Sequence, residues 1–349
     1  MAKNMKICYV PYSADFKHPS DRRRLLYWAK SRNVSLCHDP EKKVDVVYCN
    51  VNTPLTLIRQ AKKSGKKVFF ELVDGYYQPD QLFNDFLRNK LKSSKEKNFD
   101  KWRRFSELVI EKCKVADKVI CPNIEMARDL QVYNHSIHII LDFHEEFPFK
   151  RALDSFSLST NLVWEGQTYT LSGVKYVQNE LLQLKREIPD LNLTLLTDTE
   201  SPLIKGKYLK MNTTNRVRKL NRGYGAQLKL EPWSKENVVA LEHKNPLAIL
   251  PLDRSRYLVN KKPENRLLIM WRIGVPAITS SIPSYVRVMS QANLSQDSCE
   301  TPASFTERIK LFLQNPDLAK ENLQRGQQYI MDFHSKHQLL AQWDELFSN

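Results

Sequence analysis

The chain has 349 residues, 42% hydrophobic and 10% aromatic, a length that exceeds one comfortable core and suits two globular domains. Its 54 Lys and Arg against 39 Asp and Glu leave a formal charge of +15, of which residues 1–150 carry +9 (28 basic, 19 acidic) and the remainder +6. A field of that sign favours anionic partners such as nucleotide diphosphates, acidic glycans or an anionic membrane surface, while its even spread and the lack of any recognition module argue against nucleic acid.

Along the first half, strand and helix signals alternate. Residues 6–12 form an apolar strand, and 20–30 a helix with Ser20 as candidate cap and Asp21 beside the positive end of the dipole. A strand over 44–49, a helix over 55–63 ending before Ser64-Gly65, and strands over 67–72 and 118–121 follow, then a helix over 123–130 and a strand over 137–141. Such alternation predicts a parallel sheet with helices on both faces. A helical insertion over 78–114 interrupts it. Its basic stretch 91–104, with Phe99 and Trp102, suits either a membrane surface or a solvated helix pair.

Residues 142–158 lack periodicity and read as the linker. Alternation then resumes: strands over 161–164, 191–197, 227–230 and 247–252, helices over 171–187 and 236–243, and a basic, irregular loop over 205–225. Helices over 305–313 and 318–346 close the chain. We therefore expect an α/β protein of two doubly wound domains, residues 1–150 and 151–328, with residues 329–349 as a C-terminal helix.

The six cysteines, Cys8, Cys37, Cys49, Cys113, Cys121 and Cys299, contain no Cys-x-x-Cys pair, which indicates neither zinc nor a redox motif and suits buried thiols in a reducing cytosol. No Asp-x-Asp triplet or His spacing marks a metal. The N-terminus is too short in apolar residues for a signal peptide, and no run approaches the ~20 apolar residues of a membrane helix. The expectation is a cytoplasmic protein able to lie on the inner face of a membrane.

The segment 261–281, KKPENRLLIMWRIGVPAITSS, says most about chemistry. Pro263 suits the first turn of a helix and Glu264 its positive end. Leu267 to Trp271 are apolar, Gly274 suits a C-terminal cap, and 275–279 reads as a buried strand. Free N–H groups at the helix start beside Lys261, Lys262 and Arg266 make a diphosphate site; an ordinary helix–strand unit with solvated lysines has the same pattern. Arg254 and Arg256 extend the basic cluster, whose chemistry is charge stabilisation of a departing diphosphate. In doubly wound sheets the ligand lies beyond the carboxyl ends of the strands, which directs attention to Gly166 and Gln167, where glycine lets a ligand approach the backbone, and to Trp233, placed to lie along a base or to anchor the core.

This segment resembles the donor-site helix of GT-B glycosyltransferases, in particular the retaining family 4, or glycosyltransferase group 1, type. Three further pieces fall in that family's order: Leu162-Val163-Trp164-Glu165-Gly166-Gln167, Leu230-Glu231-Pro232-Trp233-Ser234-Lys235-Glu236-Asn237 and Pro246-Leu247-Ala248-Ile249-Leu250-Pro251-Leu252. The four matches cover about 120 residues of the C-terminal half. The resemblance implies two Rossmann-like domains facing a cleft, a last helix crossing back to the first, and transfer of a sugar from a nucleotide-sugar to a glycan or lipid-linked acceptor, such as a polyprenyl diphosphate, in bacterial surface polysaccharide synthesis. It implies no metal and no cofactor beyond the substrate. Donor contacts would come from Gly166, Gln167, Trp233, Arg254, Lys261, Lys262, Asn265 and Arg266. Acceptor-side contacts would come from the loop after the first strand, at His18, Ser20, Asp21 and Arg22, and Asp74 would orient the acceptor hydroxyl or take its proton; a turn Asp before Gly75 is the plainer alternative. The chain also departs from the pattern. Two glutamates eight positions apart are replaced by Lys261 and Ile269, and the Arg and Lys after the first C-domain strand by Gln167 and Thr168, with Lys175 further on. A degenerate GT-B protein that binds a nucleotide or glycan, or scaffolds a partner, is therefore the alternative.

Overall fold

The computed structural model describes residues 5–78, 103–151, 157–202, 210–224 and 228–348. The basic stretch 91–104 lies outside these except for Arg103 and Arg104. The chain divides into two compact units: Met1–His144 with Lys261–Pro263 and Lys336–Asn349, and Glu145–Asn260 with Glu264–Ser335.

The first unit is built on six strands: β1 (Ile7–Tyr9), β2 (Leu36–Cys37), β3 (Val46–Asn50), β4 (Lys67–Glu71), β5 (Lys118–Cys121) and β6 (Ile137–Ile139). All pair in parallel in the order β2-β1-β3-β4-β5-β6, so the order reverses between β1 and β3. Helices α1 (Pro19–Arg22), α2 (Leu25–Arg32), α3 (Leu55–Lys63), α4 (Phe105–Val115) and α5 (Ile124–Leu130) connect them. The central strands are buried throughout, as a sheet covered on both faces requires.

The single helix expected over 20–30 is two helices. Pro19 takes the first helical position of α1, so His18, whose Nδ1 accepts from Ser20 N at 3.2 Å, is the cap in place of Ser20. The break falls at Arg24, whose backbone leaves the helical region (φ −130°, ψ −118°). Its wholly buried guanidinium donates from Nε to Glu71 Oε1 (2.5 Å) and from Nη1 to Asp142 Oδ1 (2.9 Å). Tyr48 Oη donates to the same Glu71 oxygen at 2.5 Å.

The second unit repeats the plan. Strands β7 (Asn161–Glu165), β8 (Asn192–Thr197), β11 (Leu228–Pro232), β12 (Leu247–Leu250), β13 (Ala277–Ser280) and β14 (Ser298–Cys299) pair in parallel in the order β11-β8-β7-β12-β13-β14. β9 (Glu200–Pro202) and β10 (Lys210–Asn212) form a separate antiparallel pair. The helices are α6 (Ser172–Tyr176), α7 (Gln178–Glu187), α8 (Thr213–Tyr224), α9 (Lys235–Val239), α10 (Tyr257–Asn260), α11 (Asn265–Arg272), α12 (Pro283–Gln291), α13 (Pro302–Gln314) and α14 (Pro316–Phe333).

Several expectations are corrected here. The helix over 171–187 breaks at Val177 (φ −102°, ψ 12°), and 236–243 relaxes into a 3-10 turn after Val239. The described end of the loop expected to be irregular, 210–224, is strand β10 and helix α8. Pro263 stands outside α11, whose cap is Glu264. The stretch read as a linker is packed where described: Phe143 and Phe147 are each 1% exposed, and Arg272 in the second unit donates to Phe147 O (2.7 Å) and pairs with Glu145 (2.9 Å). Gly274 does close α11 in the left-handed region (φ 87°), as its position predicts.

Asn322 on α14 fastens this core. Its Oδ1 accepts from Trp271 Nε1 (3.1 Å) and Ala277 N (3.0 Å), and its Nδ2 donates to Ala277 O (3.0 Å) and Asp297 Oδ2 (2.6 Å). One turn on, the Trp271 ring lies against Gly326, where a Cβ would sit 2.1 Å from Trp271 Cδ2. Gly326→Ala gains helix propensity yet must shift Trp271 off this hub. We expect a net loss of about 1–3 kcal/mol in urea denaturation, the range for an overpacked core.

The helix expected over 318–346 breaks at His334, and the chain returns to the first unit as α15 (Lys336–Leu346). Trp343 of α15 is buried there against Trp28, with ring centroids 6.3 Å apart, and Lys118 Nζ donates to Leu346 O at 2.7 Å. Cations favour a helix C-terminus in this way. His334 itself is partly buried, and burial, with Arg287 nearby, pushes its imidazole down to about 4. The unfolded chain takes up this proton at about pH 6.5 and the folded chain only near 4, so the histidine makes stability fall as pH drops through that window. His334→Asn should flatten the dependence of the urea midpoint on pH between about 6.5 and 4.

Candidate functional site

In the second sheet the strand order reverses between β7 and β12, and a crevice for ligands opens at such a point beyond the carboxyl ends of the strands. Two glycines let the chain close up there. A Cβ on Gly173, in α6, would lie 2.0 Å from Pro251 O after β12. A Cβ on Gly166, directly after β7, would lie 2.6 Å from Arg266 Nη1. The first turn of α11 thus brings the Arg266 guanidinium against the Gly166 backbone. Arg266 Cζ also stands 5.7 Å from the centre of the Trp164 ring. Its Nη2 is buried and, among the described residues, meets no hydrogen-bond acceptor. A buried guanidinium nitrogen left this way costs free energy until an anion reaches it.

Around this cation the strand ends supply polar groups. Glu165 Oε1 accepts from Trp233 Nε1 at 2.7 Å, and Trp233 N donates to Thr197 O at 2.9 Å, so the indole is fixed at the ends of β7, β8 and β11. Thr168 Oγ1 lies 3.0 Å from Thr213 Oγ1 at the start of α8 and donates to Asp198 O at 3.2 Å. Arg216 Nη1, one turn into α8, is 3.5 Å from Thr168 O. Tyr285 of α12 is 1% exposed; burial pushes its phenol up, and the Arg266 guanidinium opposes that rise. Glu264 accepts from Arg287 Nη2 at 3.0 Å. A buried guanidinium nitrogen beside the Gly166 backbone can hold an anion.

The basic cluster read from sequence is divided between the two units. Arg266 and Asn265 stand at the start of α11, and Arg254 is exposed on the turn after β12. Lys261 and Lys262 belong to the first unit: Lys261 Nζ pairs with Asp129 (2.6 Å) and donates to Glu125 O (3.2 Å), and Lys262 Nζ pairs with Asp74 (2.6 Å). Gln167 is exposed, its carbonyl accepting from Thr170 N at 2.8 Å.

On the first unit, Asp74 Oδ2 accepts from Tyr76 Oη at 3.1 Å while Oδ1 meets Lys262, so the carboxylate is held at both oxygens. His18 stacks on Tyr12 with ring centroids 5.1 Å apart. Asp21, expected on the acceptor side, is 0% exposed and folded into the loop, accepting from Tyr9 Oη, Tyr12 N (2.7 Å), Ser13 N and Ser13 Oγ (both 3.0 Å). Ser20 is buried beside it, and Arg22 is partly exposed at the end of α1.

Glu165, Arg216, Tyr285 and Arg287 join the second-unit site without having been singled out in the sequence. Pro283 followed by Tyr285, Val288 and Met289 at helical spacing was a usable signal for α12. Nothing local marks Arg216. Among the described residues no group of three or more His, Cys, Asp or Glu side chains is placed to hold a metal, and no helix is long and apolar enough to cross a membrane.

No family model matches the chain, and no curated protein matches it in sequence. Its fold has many solved counterparts. HepE of Anabaena, solved with UDP-glucose, superposes with a TM-score of 0.66 at 10% identity over 99% of this chain and 100% of that one. A glycosyltransferase from Rickettsia africae gives 0.57 at 12% over 99% and 98%. TarM of S. aureus, solved with fondaparinux, α-GlcNAc-glycerol and UDP, gives 0.62 at 9%, over 87% of this chain but 55% of TarM, so the chain spans about half of that protein. The fold is GT-B: two Rossmann-like α/β domains and a last helix that crosses back to the first.

Proposed function

We propose that the protein is a glycosyltransferase that takes a sugar from a nucleoside-diphosphate donor, and that the second unit binds the donor diphosphate. The observation that carries this is the buried, acceptor-less Nη2 of Arg266 beside Gly166 at the switch point. A diphosphate oxygen there removes the desolvation cost of the nitrogen and gains a charge-assisted hydrogen bond. As the glycosidic bond breaks, negative charge grows on the diphosphate, and a guanidinium fixed in advance stabilises it. Arg266, with Arg216, supplies the charge that a metal provides elsewhere, which supports metal-independent transfer. Trp233 and Glu165 flank the place for the base. Asn265, at the first turn of α11, and Arg254 are proposed as further donor contacts.

The acceptor is proposed to be a glycan or a polyprenyl-diphosphate-linked sugar of a bacterial surface polysaccharide, met at the inner face of a membrane to which a charge of +15 is attracted. Asp74 is proposed to orient its hydroxyl, and His18 and Arg22, on the loop and helix after β1, are proposed as further acceptor-side contacts. Retention of configuration rests on the family 4 resemblance alone.

A second reading, binding without turnover, has one observation in its favour. Where the family carries its two glutamates, Ile269 is 4% exposed in the core and Lys261 is paired with Asp129. Neither position offers a carboxylate to the donor.

A thermal-shift screen against UDP, GDP, CMP, dTDP, ADP and their common sugars, with and without EDTA, tests the donor site. One nucleotide series should raise the melting temperature, unaffected by EDTA. Silence across the whole panel would remove the donor assignment. Mass-spectrometric detection of released nucleoside diphosphate from the stabilising sugar nucleotide then separates transfer or hydrolysis from binding alone.

A further inference from the structure

Cysteine spacing in the sequence offers no redox pair, yet the fold makes one. Cys8 lies on β1 and Cys37 on β2, and the register of these parallel strands sets the two Cα atoms opposite each other. Neighbouring strands run about 4.8 Å apart, inside the Cα separation a disulfide accepts. Paired positions project to the same face of the sheet, and the nearness of Cys37 adds to the burial that raises the Cys8 thiol. β2 is the edge strand of its sheet and only two residues long, so it can adjust to the shorter sulfur–sulfur distance more readily than an inner strand.

We propose that Cys8 and Cys37 form a reversible disulfide, a modification site on the edge of the first sheet, closed by exchange with a low-molecular-weight disulfide such as oxidised glutathione. Exposure decides the order of events. Cys8 is 0% exposed, and burial together with the neighbouring Cys37 pushes its thiol up to about 12, so it is not the first nucleophile. Cys37 is partly exposed, with Asp39 N donating to its sulfur at 3.3 Å. Cys37 Sγ, as thiolate, attacks one sulfur of the glutathione disulfide. That S–S bond breaks, and the first glutathione leaves with the proton Cys37 has lost. Cys8 Sγ then attacks Cys37 Sγ, and the second glutathione leaves with the Cys8 proton. Two protein thiols are oxidised and one glutathione disulfide is reduced to two thiols.

The bond would act on the loop that follows. His38, next to Cys37, places Nδ1 3.1 Å from Tyr9 O and packs its ring 4.9 Å from that of Phe16, in the loop that carries His18. Oxidation would therefore hold β2 and this loop against β1. Cys49, Cys113 and Cys121, all buried, and Cys299 are internal controls for the chemistry.

The full-length protein is equilibrated in glutathione buffers of graded ratio, quenched with N-ethylmaleimide in denaturant, and digested with trypsin without reduction. We expect a linked pair of peptides, residues 7–17 and 33–42, that rises with the oxidised fraction and disappears on reduction. Cys37→Ser, a change at the partly exposed partner, should leave Cys8 labelled by maleimide in every buffer. Hydrogen exchange at residues 36–39 should slow on oxidation. Glutathione found on Cys37 without the link, both thiols unreacted across the series, or Cys8 oxidised equally in Cys37→Ser would each overturn the proposal.

Discussion

Arg24→Met should destabilise the protein by about 3–5 kcal/mol, read as a fall in the urea midpoint at unchanged slope. The guanidinium is 0% exposed and is shared between Glu71 Oε1 and Asp142 Oδ1, with Tyr48 Oη on the same Glu71 oxygen. Methionine matches the volume of the stem but removes the cation that the two buried carboxylates share. The magnitude comes from that uncompensated charge, not from the attraction lost, because burying the three groups was itself costly. Two further substitutions separate these causes. Glu71→Gln removes one charge and keeps a hydrogen-bond acceptor, so it should cost less than Arg24→Met. Arg24→Met combined with Glu71→Gln and Asp142→Asn should recover much of the loss, since no net charge stays buried. If the triple variant is no better than Arg24→Met, the destabilisation arises from packing against Trp343, whose ring centre is 5.9 Å from Arg24 Cζ.

The same arginine shows where reading the sequence stops. Helical pattern and a capping serine span residues 20–30, and nothing within ten positions says that Arg24 turns inward. Its partners are 47 and 118 residues away. The parallel sheets were legible because their evidence is local: apolar runs bounded by polar turns gave the helix Leu55–Lys63 and the strand Lys118–Cys121 to the residue. Gly166 and Arg266 were also legible, one as a glycine after a strand and the other as a cation at a helix start. Their mutual contact was not, since it depends on which two strands flank the reversal of the sheet. The ion pairs of Lys261 and Lys262 were not legible for the same reason. Their charge is evident, but their partners Asp129 and Asp74 lie 132 and 188 residues back, and only the assembled chain decides that these lysines answer carboxylates of the first unit. Short edge strands such as β2 and β14, two residues each, have too little pattern to be read at all.

Gly166→Ala should weaken nucleotide binding about as much as Arg266→Ala, on the order of 10- to 100-fold, which corresponds to the ~1.5–3 kcal/mol of one hydrogen bond to a charged group. Gly166 is not in the left-handed region, so alanine meets no backbone strain there, and its effect is steric. The new methyl group would sit 2.6 Å from Arg266 Nη1, 3.0 Å from Thr170 Oγ1 and 3.0 Å from Trp164 Cζ2. The indole and the strand end are fixed in the core, so the guanidinium is the group that gives way. Loss of binding in Gly166→Ala is then loss of Arg266 by displacement, and the double variant should bind no more weakly than Arg266→Ala alone. Arg266→Lys should not restore affinity, because an ammonium cannot present two parallel N–H groups to a diphosphate. Stability should move the other way. The ligand-free protein carries a buried nitrogen with no acceptor among the described residues, so Arg266→Ala should unfold at equal or higher urea than the parent while losing the nucleotide. Calorimetric titration and urea melts on the parent and these four variants decide the matter. A Gly166→Ala variant of undiminished affinity would mean that close packing does not place the guanidinium, and an Arg266→Ala variant that lost stability instead of binding would mark the arginine as a structural residue.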